Sequence, residues 1–545
     1  MTRRDVTAGH ANTRPSVLRL ATHPVFLVGV ITLVGLLLRL RGISWGLPYL
    51  YDPDEHFFVD PAVRFVTTGD LNPHWFGHPG STVMYLLGLV YGVYWVVGHL
   101  VGWFPDLQSF ATLFSTKPTS FYLIGRGVAV VLATLAIPLT YVLCREMTGK
   151  GAALGAAIIV AMSPLHAEFS RIVRTDPLMT TFLLAAMLYA VKAMNAQSGK
   201  DFLLGGMFVG LATATKYPGI IGAMIVLLAA ALAKRQPPVL WTRRGMWLAW
   251  ALLGGIIGFF GAAPFVVTAI REVYWVLIGE GRQPHLGATG SPGLVNYLWY
   301  VKGPLRSAVG WPLELVAMAG FVTSCRASNR PRLLLAAFSL LFLLAIGLSL
   351  KRWDRWIVPL TPFVAILATI GLETAIRTFA WLRGRAAVQD LAVVALAVAL
   401  VIPSATEAFQ QGGTTLDTRD IAKAWIEHHV PRGSRVLLEQ YTPPISRNDY
   451  QVFIVLRGEL QKDTTVRGFK GVLADLRTLD LLQGKGIDYV LLSSTYLDRF
   501  QSEKKSYPEE VRLYEELFET SDLLYEVKPT ERTRGPVIRV LKLRQ

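Results

Sequence analysis

The chain has 545 residues, of which 52% are hydrophobic and only 17% charged. A soluble protein carries roughly 25% charged residues, so an ordinary cytosolic enzyme is excluded. The net charge of +16 is uneven: residues 1–410 hold 33 Lys+Arg against 18 Asp+Glu, and residues 411–545 hold 21 against 20. The basic residues fall in short clusters between apolar runs, the pattern of membrane-protein loops rather than of a nucleic-acid-binding face. The two cysteines, Cys144 and Cys325, make neither a disulfide framework nor a zinc site.

In chain order, residues 1–23 carry Arg3, Arg4, Arg14 and Arg19 ahead of the apolar run 24–42. That run lacks a small-residue cleavage site and reads as a retained first span with a cytoplasmic N-terminus. Further apolar runs lie at 81–102, 119–143, 151–165, 177–195, 202–214, 219–233, 245–267, 307–324, 333–350, 356–376 and 388–404. Basic clusters at 145–150, 192–200, 234–244, 326–332 and 377–385 are separated by pairs of runs, so all five fit the cytoplasmic side. The run 81–102 then does not cross, lying along the outer surface or re-entering, which leaves about eleven spans across 24–404 and a C-terminus outside. The tail, 405–545, alternates strand-like stretches (436–438, 452–455, 489–492, 537–541) with helix-like ones (417–429, 471–482, 507–518), a small α/β domain. The absence of any Asn-x-Ser/Thr site points to a bacterial source, hence to the plasma membrane.

Polar residues concentrate in the outer loops. The first, 43–118, contains Tyr51-Asp52-Pro53-Asp54-Glu55-His56-Phe57, and later His78-Pro79. Adjacent carboxylates suit a general base; a solvated acidic loop is the plain alternative. In the second loop Arg171 and Arg174 break the positive-inside trend and need partners, for which the acidic loop is the candidate. Asp176, followed by Pro177, also fits a helix start. Lys216 lies between two short runs, where it snorkels to the interface or binds an anion. Lys351-Arg352-Trp353-Asp354-Arg355 place three cations in five outer residues, and phosphate is their natural partner. Arg126 sits inside an apolar run, where an arginine marks function by default. The loop 268–306, with His285, is either a gate over a cavity or a long surface loop.

These residues together resemble the GT-C glycosyltransferases that use polyprenyl-phosphate sugars. Asp54-Glu55-His56-Phe57 and His78-Pro79 are similar to the Asp-Glu and His-Pro motifs of protein O-mannosyltransferases, and Arg126 falls where that family keeps an arginine. Ser170-Arg171-Ile172-Val173-Arg174-Thr175-Asp176-Pro177 is similar to its second acidic motif. Thr215-Lys216-Tyr217-Pro218 and Arg355-Trp356 followed by Pro359-Leu360 and Pro362 recur in the wider set, which includes the bacterial aminoarabinose transferases of lipid A. The chain departs from the pattern in reading His78-Pro79-Gly80-Ser81. Its loop 268–306 is also too short for the β-trefoil domain of eukaryotic members.

The resemblance implies a polytopic α-helical GT-C catalytic domain over 24–404 and an extracytoplasmic α/β domain over 405–545. A sugar would pass from a polyprenyl-phosphate donor to a lipid, glycan or protein acceptor at the outer face of the bilayer, with inversion and without nucleic acid. Asp54 is the implied base, with Glu55 orienting it or the acceptor and Asp176 positioning an arginine or the acceptor. Arg126, Lys216, Arg352 and Arg355 would hold the donor phosphate; His56, His78, Arg171, Arg174 and His285 would contact substrate. A divalent ion on Asp54, Glu55 and Asp176 is left open. The competing reading is a transporter or flippase of a lipid-linked or anionic solute, which calls for internal repeats and midplane polar groups.

Overall fold

A computed structural model describes residues 23–77, 80–233, 241–279, 283–326, 328–382, 384–463, 470–476 and 478–544. Seven helices among these are long and apolar enough to cross a bilayer: Ser81–Leu100, Thr119–Arg145, Asp176–Ala196, Arg243–Ala262, Arg330–Gly347, Asp354–Thr378 and Ala386–Gly413. Two bent pairs raise the number to nine. They are Lys150–Ala161 with Pro164–Ser170, at 54°, and Leu294–Val309 with Trp311–Arg326, at 110°. Pro24–Leu40 and Tyr217–Leu232 are shorter apolar helices. The chain is therefore a multi-span α-helical membrane protein with a small sheet domain after Gly413.

Two helices deserve comparison with the sequence reading. Ser81–Leu100 passes the test of length and composition, although its run was expected not to cross. The Tyr91 hydroxyl at its middle bonds the carbonyl oxygen of Phe121 at 2.9 Å, which ties it to the start of the helix that carries Arg126. Gly199–Thr215, expected as a span, is not among the lipid-length apolar helices. It is sheltered by Asp176–Ala196 and Trp241–Ala262, so it needs no wide lipid-facing surface. It meets Trp241–Ala262 backbone to backbone through small residues, as membrane helices do: a methyl group on Gly206 would lie 1.9 Å from the carbonyl oxygen of Ala251.

The loops holding three of the basic clusters, 145–150, 326–332 and 377–385, come together at one end. Arg332 donates to the carbonyl of Met147 at 3.0 Å and to Glu373 at 2.8 Å. Glu373 in turn accepts from the Gly149 amide and from Arg377, both at 2.9 Å, and Arg330 bonds the carbonyl of Leu232 at 2.9 Å. The acidic and aromatic loops gather at the other end, called here the site face.

The sheet domain sits on the site face. Its strands are β1 (Arg435–Leu438), β2 (Gln451–Leu456), β3 (Glu459–Lys462), β4 (Tyr489–Ser493), β5 (Ser521–Val527) and β6 (Ile538–Leu543). Their order is β3-β2-β1-β4-β6-β5, with β1 parallel to β2 and β4, and the remaining pairs antiparallel. Alternation along the strands sends Leu437, Val490, Leu492 and Leu541 to one face and Val436, Leu438, Leu491 and Val540 to the other. The first face is covered by Ser494–Ser502 and Pro508–Glu519, the second by Thr418–His429. The four strand-like stretches are strands here; β3 and β5 add to them. The expected helix over 471–482 is a 3-10 turn (Leu473–Asp475) and a short helix (Asp480–Gly484), because Leu473, Leu476, Leu479 and Leu482 are all drawn onto one core.

The domain is tied to the first loop. Tyr51 donates to Asp420 at 2.6 Å, and the Trp45 indole donates to Asp417 at 3.2 Å. The Arg419 guanidinium lies 3.7 Å from the centre of the Tyr51 ring. A second tie joins the loop after 282, where the Gly287 amide and the Thr289 hydroxyl both donate to Glu503 at 3.0 Å.

Candidate active site

The acidic loop leads into the helix His56–Thr68, and its tight turn sets where each carboxylate points. The Asp54 amide donates to Asp52 Oδ1 at 3.0 Å, an Asx-type turn that brings the two aspartates together. Arg174 spans them: one guanidinium nitrogen bonds Asp52 at 2.7 Å and another bonds Asp54. Arg355 approaches Asp54 at 3.3 Å. The acidic loop was the partner expected for Arg171 and Arg174; Arg174 takes that place. The two aspartates raise the Arg174 pKa, an effect that outweighs its burial.

Glu55, one residue on, turns inward. It is fully buried, with Arg126 Nε and Nη2 on its two oxygens at 2.8 and 2.6 Å and the Val173 amide at 2.9 Å. Arg126 also donates to the carbonyls of Ile43 and Trp45, both at 2.7 Å. Glu55 and Arg126 thus clamp the first loop to the second, and neither has a hydrogen-bonding atom left over as an orphan.

Asp176 opens the helix Asp176–Ala196 and is buried against Lys216 at 2.6 Å. Arg171 behaves differently from Arg174. It is 3% exposed, bonds the carbonyls of Leu38 at 3.2 Å and Ala408 at 3.0 Å, and leaves Nε and Nη1 without a partner. Burial, then the charge of Arg534, pushes its pKa down to about 10.

Between these loops and the sheet domain lies a cavity of about 1240 Å³, more than the 300–1,000 Å³ typical of a single small-ligand site. Of the carboxylates singled out from sequence, Asp54 lines it and Glu55 and Asp176 do not. Arg126, Arg171, Arg174, Lys216, Arg355 and His285 line it as well. His285 packs edge-on to Trp353 with ring centres 5.1 Å apart, and burial, with the charges of Arg499, Lys351 and Arg355, lowers its pKa.

Two expectations fail here, and the ion left open finds no site. Arg352 does not reach the cavity: the chain is extended at 351–353, so Lys351 and Trp353 face the cavity and Arg352 points away, stacking on Trp299 at 5.0 Å. His56 is exposed and stacks on Phe57 at 4.1 Å instead of lining the cavity. A divalent ion on Asp54, Glu55 and Asp176 does not fit, because these carboxylates are held by Arg174 and Arg355, by Arg126, and by Lys216. Among the described residues no group of three metal-ligating side chains forms. His78 lies outside the described residues.

The sequence reading missed a whole wall. Tyr441, Tyr496, Arg499 and Arg534 of the sheet domain add to the lining, which also holds the carboxylates of Asp52 and Glu168. Arg171, Arg499 and Arg534 form no ion pair among the described residues, so the cavity has cationic character to spare.

Residues 100–267 match the Dolichyl-phosphate-mannose-protein mannosyltransferase family, a segment that includes Arg126, Arg171, Arg174, Asp176 and Lys216. Among solved structures, the archaeal oligosaccharyltransferase AglB from Archaeoglobus fulgidus, with an inhibitory peptide and a dolichol-phosphate, superposes with TM-score 0.51 and 14% identity over 94% of this chain and 74% of its own. ArnT from Cupriavidus metallidurans in the apo state superposes with TM-score 0.50 and 16% identity over 95% and 97%. This is the GT-C fold. The matched segment is similar to that of a membrane glycosyltransferase and the scaffold around it has the GT-C fold; neither likeness favours the transporter or flippase reading. No curated protein matches the chain.

Proposed function

We propose that this GT-C chain moves a sugar from a polyprenyl-phosphate donor to an acceptor hydroxyl, with Asp54 as the base. The observation that carries the reading is the placement of Asp54, a carboxylate lining a large cavity between two guanidinium groups. AglB, with a dolichol-phosphate in its structure, supports a lipid-linked donor. A smaller, mostly apolar cavity of about 230 Å³ shares Lys216, Pro218 and Trp356 with the large one, a fitting exit for a polyprenyl chain beside its phosphate.

Lys216 and Arg355 are placed to hold that phosphate, since both line the large cavity and Lys216 also borders the smaller one. Arg126, engaged four times over, acts as a clamp. In the reaction, Asp54 takes the proton of the acceptor hydroxyl and the acceptor oxygen bonds the anomeric carbon. The bond from that carbon to the phosphate oxygen breaks, and polyprenyl phosphate leaves with the electron pair. In-line displacement inverts the anomeric centre. Phosphate is a good leaving group, so the second carboxylic acid of glycoside hydrolysis is not needed; the cations stabilise the charge developing on it. The clustering of basic loops at the opposite end supports a site face outside the plasma membrane, which would make the sheet domain extracytoplasmic; the expected boundary at 404/405 moves to the end of the helix Ala386–Gly413.

Purified full-length protein is given radiolabelled polyprenyl-phosphate sugars and native membrane extract. Wild type should transfer label and release polyprenyl phosphate. Asp54→Asn should lose at least about a hundredfold in rate, as a positioned base contributes that much or more, with donor binding by native mass spectrometry retained. Absence of polyprenyl phosphate release from every donor by folded wild type refutes the class, and an active Asp54→Asn refutes the base.

A further inference from the structure

The sheet domain presents to the cavity the one part of its fold where open α/β sheets bind ligands. Parallel strands β1 and β4 lie side by side at the middle of the sheet, and the chain leaves them in opposite directions. Such a switch point opens a crevice at the carboxyl ends of the strands. Residues just beyond those ends, Tyr441 after β1 and Thr495 and Tyr496 after β4, line the large cavity with Asp54.

The crevice is built, not incidental. Tyr441 has φ of 67°, a left-handed conformation unfavourable for a bulky side chain and characteristic of functional positions. Glu439 supports it from behind: it is 2% exposed, accepts from the Leu473 and Ser493 amides, both at 3.2 Å, and from the Tyr514 hydroxyl. That carboxylate therefore ties the ends of β1 and β4 together immediately before the two tyrosines. The Tyr441 and Tyr496 rings lie 5.7 Å apart at 32°, and the Arg499 guanidinium lies 5.8 and 5.3 Å from their centres. Gly287 closes over this group: its α-carbon faces the Arg499 side chain so closely that a methyl there would lie 2.1 Å from Arg499 Cγ.

We infer that Tyr441, Tyr496 and Arg499 form the acceptor subsite of the transferase, and that the acceptor it takes is a carbohydrate ring. The inference rests on the sugar-transfer reading above. Two neighbouring aromatic faces offer electron-rich surfaces to the C–H face of a sugar, and a guanidinium offers N–H donors to its hydroxyl oxygens. The subsite shares one cavity with Asp54, as a base that must reach the acceptor hydroxyl requires.

The test uses full-length protein in detergent with methyl pyranosides and methyl furanosides as acceptor probes and a Ser/Thr-containing peptide as the rival. Saturation-transfer NMR reads acceptor binding without turnover, and polyprenyl phosphate release reads the donor reaction separately. Wild type should bind one or more of the glycosides. Tyr496→Leu should weaken that binding about tenfold, from the value of an aromatic contact, and Tyr496→Phe should restore it. Arg499→Gln should raise the acceptor KM about tenfold or more, with donor KM within about twofold. Release of polyprenyl phosphate with no glycoside bound, or with Tyr496→Leu binding like wild type, overturns the subsite and leaves the class standing. Transfer to the peptide in place of a glycoside overturns it too. Failure of donor turnover in folded wild type is the separate failure of the transferase reading and removes the acceptor role with it.

Discussion

Glu55 and Asp54 are neighbours in sequence, and their substitution should fail in different ways. Removing the Glu55 carboxylate leaves the buried Arg126 guanidinium without its two charge-assisted bonds of 2.8 and 2.6 Å, and it orphans the Val173 amide. Both members of the pair are fully buried, so solvent cannot take over. Breaking such a pair from one side costs about 3–5 kcal/mol, a large share of the roughly 5–15 kcal/mol that holds a native protein together. Glu55→Ala should therefore unfold several degrees below wild type when detergent-solubilised protein is heated and followed by size exclusion. Asp54 is 27% exposed, and Asp54→Asn should unfold closer to wild type while being the less active of the two. Adding Arg126→Leu to Glu55→Ala should recover part of the loss, since removing both partners is milder than removing one. The recovery should be partial, because Arg126 also serves the Ile43 and Trp45 carbonyls. A Glu55→Ala protein that melts with wild type and is defective only in kcat refutes the clamp and makes Glu55 a participant in the chemistry.

Other consequences can be measured independently. His285 has a pKa lowered by burial and neighbouring cations, so its protonation is resisted in the folded state. Stability should be full above pH 6.5 and fall as pH drops below 6.5 towards the folded value; His285→Gln should flatten that dependence in thermal unfolding between pH 7.5 and 5.5, and an unchanged slope refutes it. Gly206→Val should abolish monodisperse protein, its side chain forced onto the Ala251 carbonyl, while Gly261→Ala, with nothing within 4 Å of the added methyl, should behave as wild type in size exclusion. Lys216→Met removes the ion-pair partner of the buried Asp176, leaving only the longer-range charges of Arg355 and Arg174, and should lower both the yield of folded protein and donor binding, whereas Arg352→Gln, which removes a cation outside the cavity, should leave the donor KM within about twofold; a large rise would place Arg352 at the phosphate after all.

Much of this protein was legible in its sequence because the relevant physics is local. Runs such as 119–143 and 356–376 declare themselves by apolar length, and the basic clusters declare a shared side by parity. The strands Tyr489–Ser493 and Ile538–Leu543 show in β-branched and leucine-rich stretches bounded by turns. The resemblance of the acidic loop, Arg126 and the Arg171–Asp176 stretch to one family, and of Lys216 to the wider set around it, followed from short motifs in order along the chain.

What the sequence could not decide depends on direction and on distant partners. Asp54 and Glu55 are chemically alike, yet the turn made by the Asp54 amide on Asp52 sends one to the cavity and the other to Arg126. Arg171 and Arg174 are three residues apart, but only the second meets the aspartates, more than a hundred residues earlier in the chain. Arg352 and Arg355 share a cluster, and the extended backbone between them turns one away. The aromatic wall of Tyr441 and Tyr496 has no local signature at all: it exists because β1 and β4 pair in parallel and the finished sheet is held over the acidic loop by Asp417, Asp420 and Glu503. Charge and apolar period belong to the chain itself, whereas the facing of side chains across a cavity arises only once segments separated by hundreds of residues have packed.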